Sequence, residues 1–340
     1  MASGNGSGQH QSKGLVYKES NISNPAMSKP RQKTVLVTGC SDGSAGAALA
    51  REFHSRGLRV LATSTDGRRM RSLDALGITT LALDCTSPAS RARLAEELRR
   101  ITGHDDDGSG GLDMLVNNAA AFSLMPLADV DLDEARGVFD VNVFGPLAMV
   151  QTCLPFLLAA ADSASSANGG GDGAAGSSQP AVTVVNVGSI SAVMCPPWQG
   201  VYAASKAALL ALGNVLRVEL APLGIGVVTV MSGGVATAAM QTWSGRGRVP
   251  EGSLYRQLAP YIEGNEAGKA IQSTVPSEYA RQVVDDLLGT RPRPLIWRGA
   301  FAWVAWAFTW LGWVGMMDGG HIKRALLHRV HPPRTQTLQN

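Results

Sequence analysis

Thr34–Thr38 (TVLVT) runs directly into Gly39-Cys-Ser-Asp-Gly43-Ser-Ala-Gly46, and the alanine-rich stretch Ala47–Ser55 follows. A short β-branched strand, a glycine-rich turn and a helix in immediate succession leave few folds open to the chain. The turn is also the setting that a dinucleotide pyrophosphate needs. Glycines let backbone approach phosphates, and a helix N-terminus offers unpaired N–H groups and a positive dipole. An ordinary glycine loop between strand and helix reads the same way at this point. Gly39, Ser41, Gly43 and Gly46 are the candidate contacts.

The pattern continues. Leu58–Thr63 predicts a second strand, Asp66–Leu76 a helix, and Leu81–Asp84 the end of a third strand, completing a βαβαβ half. An acidic residue closing the second strand would hold adenosine ribose hydroxyls and select NAD. Here the chain reads Ala62-Thr63-Ser64-Thr65-Asp66-Gly67-Arg68-Arg69. Ser64 and Thr65 leave room for a 2′-phosphate that Arg68 and Arg69 could pair with. The same arginines also fit a solvated helix face, and Asp66 and Asp42 weigh against a phosphate. The expectation is NADP(H) over NAD(H).

Ser90–Thr102 predicts an amphipathic helix, and Leu112–Val116 a fourth strand ending in Asn117-Asn118-Ala119-Ala120, at the sheet edge where ligands bind. The long helical stretch Asp131–Ala160 holds Asn142 between two valines; taken alone, it reads as a satisfied core amide or a kink. Residues 162–180 are a low-complexity insertion. Ala181–Val187 and Gly226–Met231 predict the fifth and sixth strands, the latter leading into Ser232-Gly233-Gly234-Val235-Ala236-Thr237, whose glycine pair can again let backbone approach a ligand. Residues 238–276 look irregular and are placed as a substrate lid, before a last amphipathic helix at Ser277–Leu288. The fold class is therefore α/β, a doubly wound parallel sheet of Rossmann type in a single domain over 34–290 with a C-terminal apolar helix. Residues 1–33 read as a disordered leader, 294–320 as a membrane-associating segment and 321–340 as a polar tail.

Between the fifth strand and the alanine-rich helix Tyr202–Leu220 lie Ser189, Tyr202 and Lys206. Residues four apart on a helix share a face, so Tyr202 and Lys206 point together into one cleft. An ammonium beside a phenol stabilises the phenolate and lowers its pKa. Tyr202 can then donate and accept a proton, with Ser189 near enough to hydrogen-bond the reacting oxygen. Among the five tyrosines only Tyr202 has a lysine four places on.

From about Lys33 to Leu288 the chain resembles the short-chain dehydrogenase/reductase family. The matching pieces occur in the family's order: Gly39/Gly43/Gly46, Asp84, Asn117-Asn118-Ala119, Asn142, Ser189, Tyr202 and Lys206, with thirteen residues from Ser189 to Tyr202. Two features depart from the common pattern. Ser44 and Ala45 separate Gly43 from Gly46, and Ser232–Thr237 stands where a Pro-Gly motif is usual. Both are similar to fungal relatives of acyl-dihydroxyacetone-phosphate reductase. The resemblance implies that Tyr202 is the general acid in reduction, that Lys206 holds the nicotinamide ribose and depresses the tyrosine's pKa, and that Ser189 orients a carbonyl. It further implies that Asn142 supports a water linking Lys206 to solvent, that Val235 and Thr237 meet the carboxamide, and that Asp84 meets the adenine. Thr65, Arg68 and Asn118 complete the cofactor set. No metal is required, since the cofactor carries hydride, and the six histidines show no ligand spacing.

A net charge of +3 with no basic stripe argues against nucleic acid. Cys40, Cys85, Cys153 and Cys195 follow no disulfide pattern, which suits an intracellular protein. Gly299–Met317 has nineteen residues and no charge, about 28 Å as a helix. Trp303, Trp306, Trp310 and Trp313 form one stripe along it. A helix lying in or crossing a membrane is expected, flanked by Arg293, Arg298, Lys323 and Arg324; a buried core or dimer helix also fits. The expected function is an NADP(H)-dependent interconversion of ketone and secondary alcohol on a hydrophobic lipid, steroid- or terpenoid-like, or polyketide-like substrate. A phosphate-bearing substrate would look to Arg246, Arg248 and Arg256. The expected location is the cytosol or the cytosolic face of a membrane such as the endoplasmic reticulum or a lipid droplet, with a homo-oligomer possible. The alternative is a non-catalytic, membrane-associated dinucleotide-binding or scaffold protein.

Overall fold

A computed structural model of the chain describes residues 1, 32–103, 111–167, 180–238, 248–264, 266, 273–290, 292–312, 315–316 and 318–330. Most of the expected leader, residues 168–179 of the insertion, much of the lid, Arg246, Trp313 and residues 331–340 lie outside them. By its internal contacts the chain divides into Met1–Arg31 and Gln32–Asn340, and the sheet with its flanking helices belongs wholly to the second unit.

In chain order the elements are β1 Thr34–Val37, α1 Ala45–Ser55, β2 Arg59–Ser64, a 3₁₀ turn Gly67–Met70, α2 Arg71–Asp74 and β3 Thr79–Ala82. Next come α3 Pro88–Thr102, β4 Met114–Asn117, α4 Leu132–Phe139, a π-helical turn Asp140–Phe144 and α5 Gly145–Ala167. β5 Val182–Val187, α6 Ser191–Met194, α7 Gly200–Glu219 and β6 Ile225–Ser232 follow. The described remainder holds α8 Ala259–Glu263, α9 Pro276–Leu288, β7 Leu295–Arg298, α10 Ala302–Leu311 and α11 Asp318–Arg324. The strands make one sheet in the order β3-β2-β1-β4-β5-β6-β7, with every pair parallel. Strand order reverses between β1 and β4, so the carboxyl ends of those strands open a crevice for a ligand.

Alternation along the strands builds the two cores. Val35 and Val37 of β1, Val60 and Ala62 of β2 and Val116 of β4 face α1 and α9, where Phe53, Tyr279 and Val283 pack on them. Leu36, Leu61 and Leu115 face the other way, onto Leu94 and Leu98 of α3 and Met149, Cys153 and Leu157 of α5. A third cluster of Leu124, Met125, Trp198, Leu258, Ile262 and Ala325 lies under the loops.

Several expectations need correction. β7 is a seventh strand, formed by residues expected to begin the membrane segment; four residues are too few to show a period in sequence. α5 runs to Ala167, because alanine and serine sustain the helix into the low-complexity stretch. Part of the lid is helical, at Arg256–Leu258 and Ala259–Glu263. The uncharged C-terminal run is not one nineteen-residue helix. Phe301 takes a left-handed φ of 61° before α10, and Gly312 leaves helical geometry with ψ 152° after it. The expected polar tail begins inside α11, and Ala325 just beyond that helix is buried. Arg298, expected at a membrane flank, instead makes a two-pronged pair with Asp286 at 2.8 and 2.9 Å.

Gly233 shows why the chain keeps a glycine pair after β6. The sequence pointed to close approach of a ligand, but the approaching group is this chain's own backbone. A Cβ on Gly233 would lie 2.0 Å from the Ala300 carbonyl oxygen, and Gly234 exchanges backbone hydrogen bonds with Ala300. Gly233→Ala therefore lowers unfolding free energy by about 2–3 kcal/mol in urea titrations, whereas Gly67→Ala, which meets nothing within 4 Å, stays within about 0.5 kcal/mol of wild type.

Candidate active site

The carboxyl ends of β1 and β4 are tied by side chains. Thr38 Oγ1 accepts from the backbone N–H groups of Asn118 (2.9 Å) and Ala119 (3.0 Å). Asn118 Nδ2 donates to the carbonyls of Thr38 (2.8 Å) and Gly39 (3.1 Å). The Asn118 amide nitrogen is thus spent on shaping the glycine turn rather than free for a ligand. Gly39 has φ +74°, and a Cβ there would sit 2.7 Å from Ala119 Cα. A Cβ on Gly46 would sit 2.4 Å from both Asn118 Nδ2 and the Gly39 carbonyl oxygen. Gly43, at φ +77°, would meet Ala238. Ser44 caps α1 by accepting from Ala47 N–H and donates to the Gly39 carbonyl. The result is a narrow backbone cradle at a helix N-terminus, which fits a pyrophosphate.

Around it, Ser41 and Ser64 share a hydroxyl hydrogen bond of 2.9 Å. Thr65 is exposed beside them. Arg68 donates through Nε and Nη2 to the two Asp66 oxygens, both at 3.1 Å. That guanidinium, with the Arg68 backbone N–H, holds the Asp66 carboxyl below its usual range. Asp42 is engaged by Ser72, which in turn meets Arg51. Asp84, exposed at the end of β3, accepts from the Thr86 hydroxyl and N–H, which keep it ionised. Across the crevice Val235 pairs with Thr274, and Thr237 N–H turns back onto the Val235 carbonyl. The backbone cradle at the N-terminus of α1, beside the point where strand order reverses, fits the pyrophosphate of a dinucleotide.

Ser189, Tyr202 and Lys206 meet where β5 ends. Ser189 Oγ accepts from Ser191 N–H at 3.1 Å and contacts Ser191 Oγ, which donates on to Gln199 Oε1. Burial raises the Tyr202 pKa above its ordinary value, and a hydrogen bond with Ser189 opposes that rise. The expected depression by Lys206 is therefore not the dominant effect. Lys206 Nζ lies 5.8 Å from the Tyr202 ring centroid and donates to the Val187 carbonyl at 2.8 Å. Burial lowers its pKa to about 8, because desolvation penalises the ammonium.

Asn142 is fully buried at the π-helical turn between α4 and α5. Its Oδ1 accepts from Ala121 N–H (2.7 Å), and its Nδ2 donates to the Ala121 carbonyl (2.8 Å) and Ser205 Oγ (3.0 Å). Both amide hydrogens are thus spent, and the side chain fastens the loop after β4 to α7. The expected water link would have to run through other atoms of the turn.

Some neighbours carried no signal in the sequence. Phe122 packs edge-on to Tyr202, with ring centroids 4.7 Å apart. Trp198, at φ +69° in the loop before α7, is buried and its indole N–H finds no partner among the described residues. Tyr279 of α9 is fully buried with its hydroxyl 2.5 Å from Ser232 Oγ; burial pushes its pKa up to about 12. Of the lid arginines, Arg256 is exposed and donates to the Val249 carbonyl at 2.8 Å.

Known proteins resemble the chain in sequence and in fold. A family profile described as short chain dehydrogenase matches residues 33–246. A short-chain dehydrogenase of Penicillium crustosum is 38% identical over 276 residues, covering 80% of this chain and 90% of its own. The NADPH-dependent 1-acyldihydroxyacetone phosphate reductase of Schizosaccharomyces pombe is 37% identical over 227 residues, covering 66% of this chain and 68% of its own. Among solved structures, a short-chain dehydrogenase from Streptomyces avermitilis shares the fold with a TM-score of 0.64 at 21% identity, over 89% of this chain and 98% of that one. With its seven parallel strands and its profile match over most of the sheet, the chain belongs to the short-chain dehydrogenase family of oxidoreductases.

Proposed function

We propose that the chain is an NADP(H)-dependent oxidoreductase that interconverts a ketone and a secondary alcohol on a hydrophobic substrate, with Tyr202 as acid and base. The observation that carries this reading is the meeting of Ser189, Tyr202 and buried Lys206 at one strand end beside the glycine cradle.

When bound, the nicotinamide supplies hydride to the carbonyl carbon or takes it from the alcohol. The protein's part is proton and charge placement. Burial keeps the Tyr202 hydroxyl protonated, so it can donate to the oxygen that becomes negative during reduction. Ser189 lies within hydrogen-bond reach of that hydroxyl and would position the same oxygen. Lys206 donates to a single backbone carbonyl among the described residues, so its ammonium can turn to the nicotinamide ribose hydroxyls. Asn142 holds α7, which carries both Tyr202 and Lys206, in register with the loop after β4. It is a positioning residue in this scheme.

NADP(H) is favoured because Arg68 neutralises Asp66, the carboxylate that would otherwise be free to accept from a ribose 2′-hydroxyl. The NADPH dependence named for the Schizosaccharomyces pombe relative supports the same choice. A hydrophobic substrate is supported by Phe122 against Tyr202 and by the apolar cluster of Leu124, Met125 and Trp198 next to it. Exposed Leu132, Phe144, Val215 and Val218 offer apolar surface for a second copy of the chain. The reading carries with it a location in the cytosol or on the cytosolic face of a membrane.

Two outcomes test it. Tyr202→Phe lowers ketone reduction by roughly 10²–10⁴-fold while the NADPH dissociation constant stays within about twofold. Turnover at wild-type rate would leave a non-catalytic binding protein as the better account. Second, Lys206 is charged below its pKa of about 8 and neutral above it. NADPH affinity, read by fluorescence, is therefore level near pH 7 and weakens above pH 8 by at most about tenfold per pH unit, as one proton's linkage requires. Lys206→Met removes the break.

A further inference from the structure

α10 buries one side and leaves the other bare. Ala302 and Ala305 are 2% and 0% exposed, whereas Trp303, Trp306 and Trp310 are 73%, 50% and 76% exposed, with Leu311 at 76%. Spaced three and four apart, the three indoles share one face of the helix. A bare aromatic face of this kind is costly in water and marks a contact with another phase or molecule. The charge around it identifies which. From Gly299 to the C-terminus Asp318 is the only acid, against Lys323, Arg324, Arg329 and Arg334. Lys323, Arg324 and Arg329 are exposed in or just after α11. Tryptophan with nearby cations is the composition that favours the boundary between water and anionic lipid.

This face is fastened to the catalytic cleft. α10 packs on β7 and on α6, the turn that follows Ser189. His321 Nε2 lies 2.9 Å from the Met194 carbonyl oxygen at the end of α6. Ala325, with Leu326, Leu327 and Val330 against it, shares the apolar cluster of Trp198, Leu124 and Met125. The segment between Ser189 and Tyr202 is thus held from behind by the same elements that carry the indoles and the cations.

We propose that the Trp303/Trp306/Trp310 face and the Lys323/Arg324 turn dock on an anionic lipid surface, bringing the segment that walls the Tyr202 cleft to the lipid so that an apolar substrate enters from the bilayer. α10 lies in the interface and does not cross it. Its ten residues reach about 15 Å, half of a hydrocarbon core of about 30 Å. The docking stands on the surface alone; the entry route rests on the hydrophobic substrate of the proposed function.

The test is flotation of the full-length protein with phosphatidylcholine vesicles, with and without phosphatidylserine. Wild type floats with the anionic vesicles, and more weakly as salt rises. The exposed-face variant Trp303→Ser/Trp306→Ser/Trp310→Ser loses roughly tenfold or more in vesicle affinity. Lys323→Gln/Arg324→Gln loses roughly tenfold on anionic vesicles and nothing on neutral ones. Both variants keep the wild-type NADPH dissociation constant, which separates failure of docking from failure of the catalytic reading. Equal flotation of the triple-tryptophan variant and wild type overturns the proposal. So does a wild type that binds no vesicle but sediments as a dimer that the tryptophan changes dissolve, because the face is then a contact between copies of the chain.

Discussion

The Lys206 ammonium is buried at the sheet edge and, among the described residues, has a single carbonyl, that of Val187, as its hydrogen-bond acceptor. Desolvation of a charge on that scale is tolerated only where something else is to share it, and it pulls the pKa down to about 8. Tyr202 sits one helical turn away, and burial favours its neutral form too, which for a phenol moves the pKa upward. Near neutral pH the pair therefore holds a protonated phenol and a predominantly charged amine side by side. A proton donor and a cation waiting for hydroxyl partners are what a bound nicotinamide riboside and a carbonyl substrate would use.

That arrangement depends on a platform that cannot drift. Thr38 and Asn118 lock the ends of β1 and β4, and the three glycines of the turn each occupy a place where a Cβ would strike a neighbour. Asn142 ties the loop that leaves β4 to α7 through Ala121 and Ser205. The cradle and the Ser189–Tyr202–Lys206 group are thus referenced to one another through β4. This is how a site assembled from residues more than 160 positions apart in the sequence keeps one geometry.

The legible part of the sequence was local. Gly39, Gly43 and Gly46 lie within one turn, and Tyr202 and Lys206 within one helical turn, so their juxtaposition follows from helix and turn geometry. The apolar, β-branched runs likewise marked six of the strands. Contacts between distant segments were not legible. Nothing near Tyr279 marks it as the partner of Ser232, forty-seven residues earlier. The four residues of β7 carry no period, and Gly233 looked like a ligand contact because its true neighbour, Ala300, is folded back from the far end of the chain. The expected lowering of the Tyr202 pKa weighed the nearby charge and missed the stronger effect of burial, which only the packed structure reveals.

On the proposed function, the glycine cradle and the Ser189–Tyr202–Lys206 edge form one dinucleotide-dependent redox site. Fluorescence titration of the purified chain with NADPH and with NADH tests it most directly. The account predicts saturable binding of NADPH at one site per chain, with NADH binding more weakly because Arg68 has neutralised Asp66. Absence of binding by either nucleotide would contradict it.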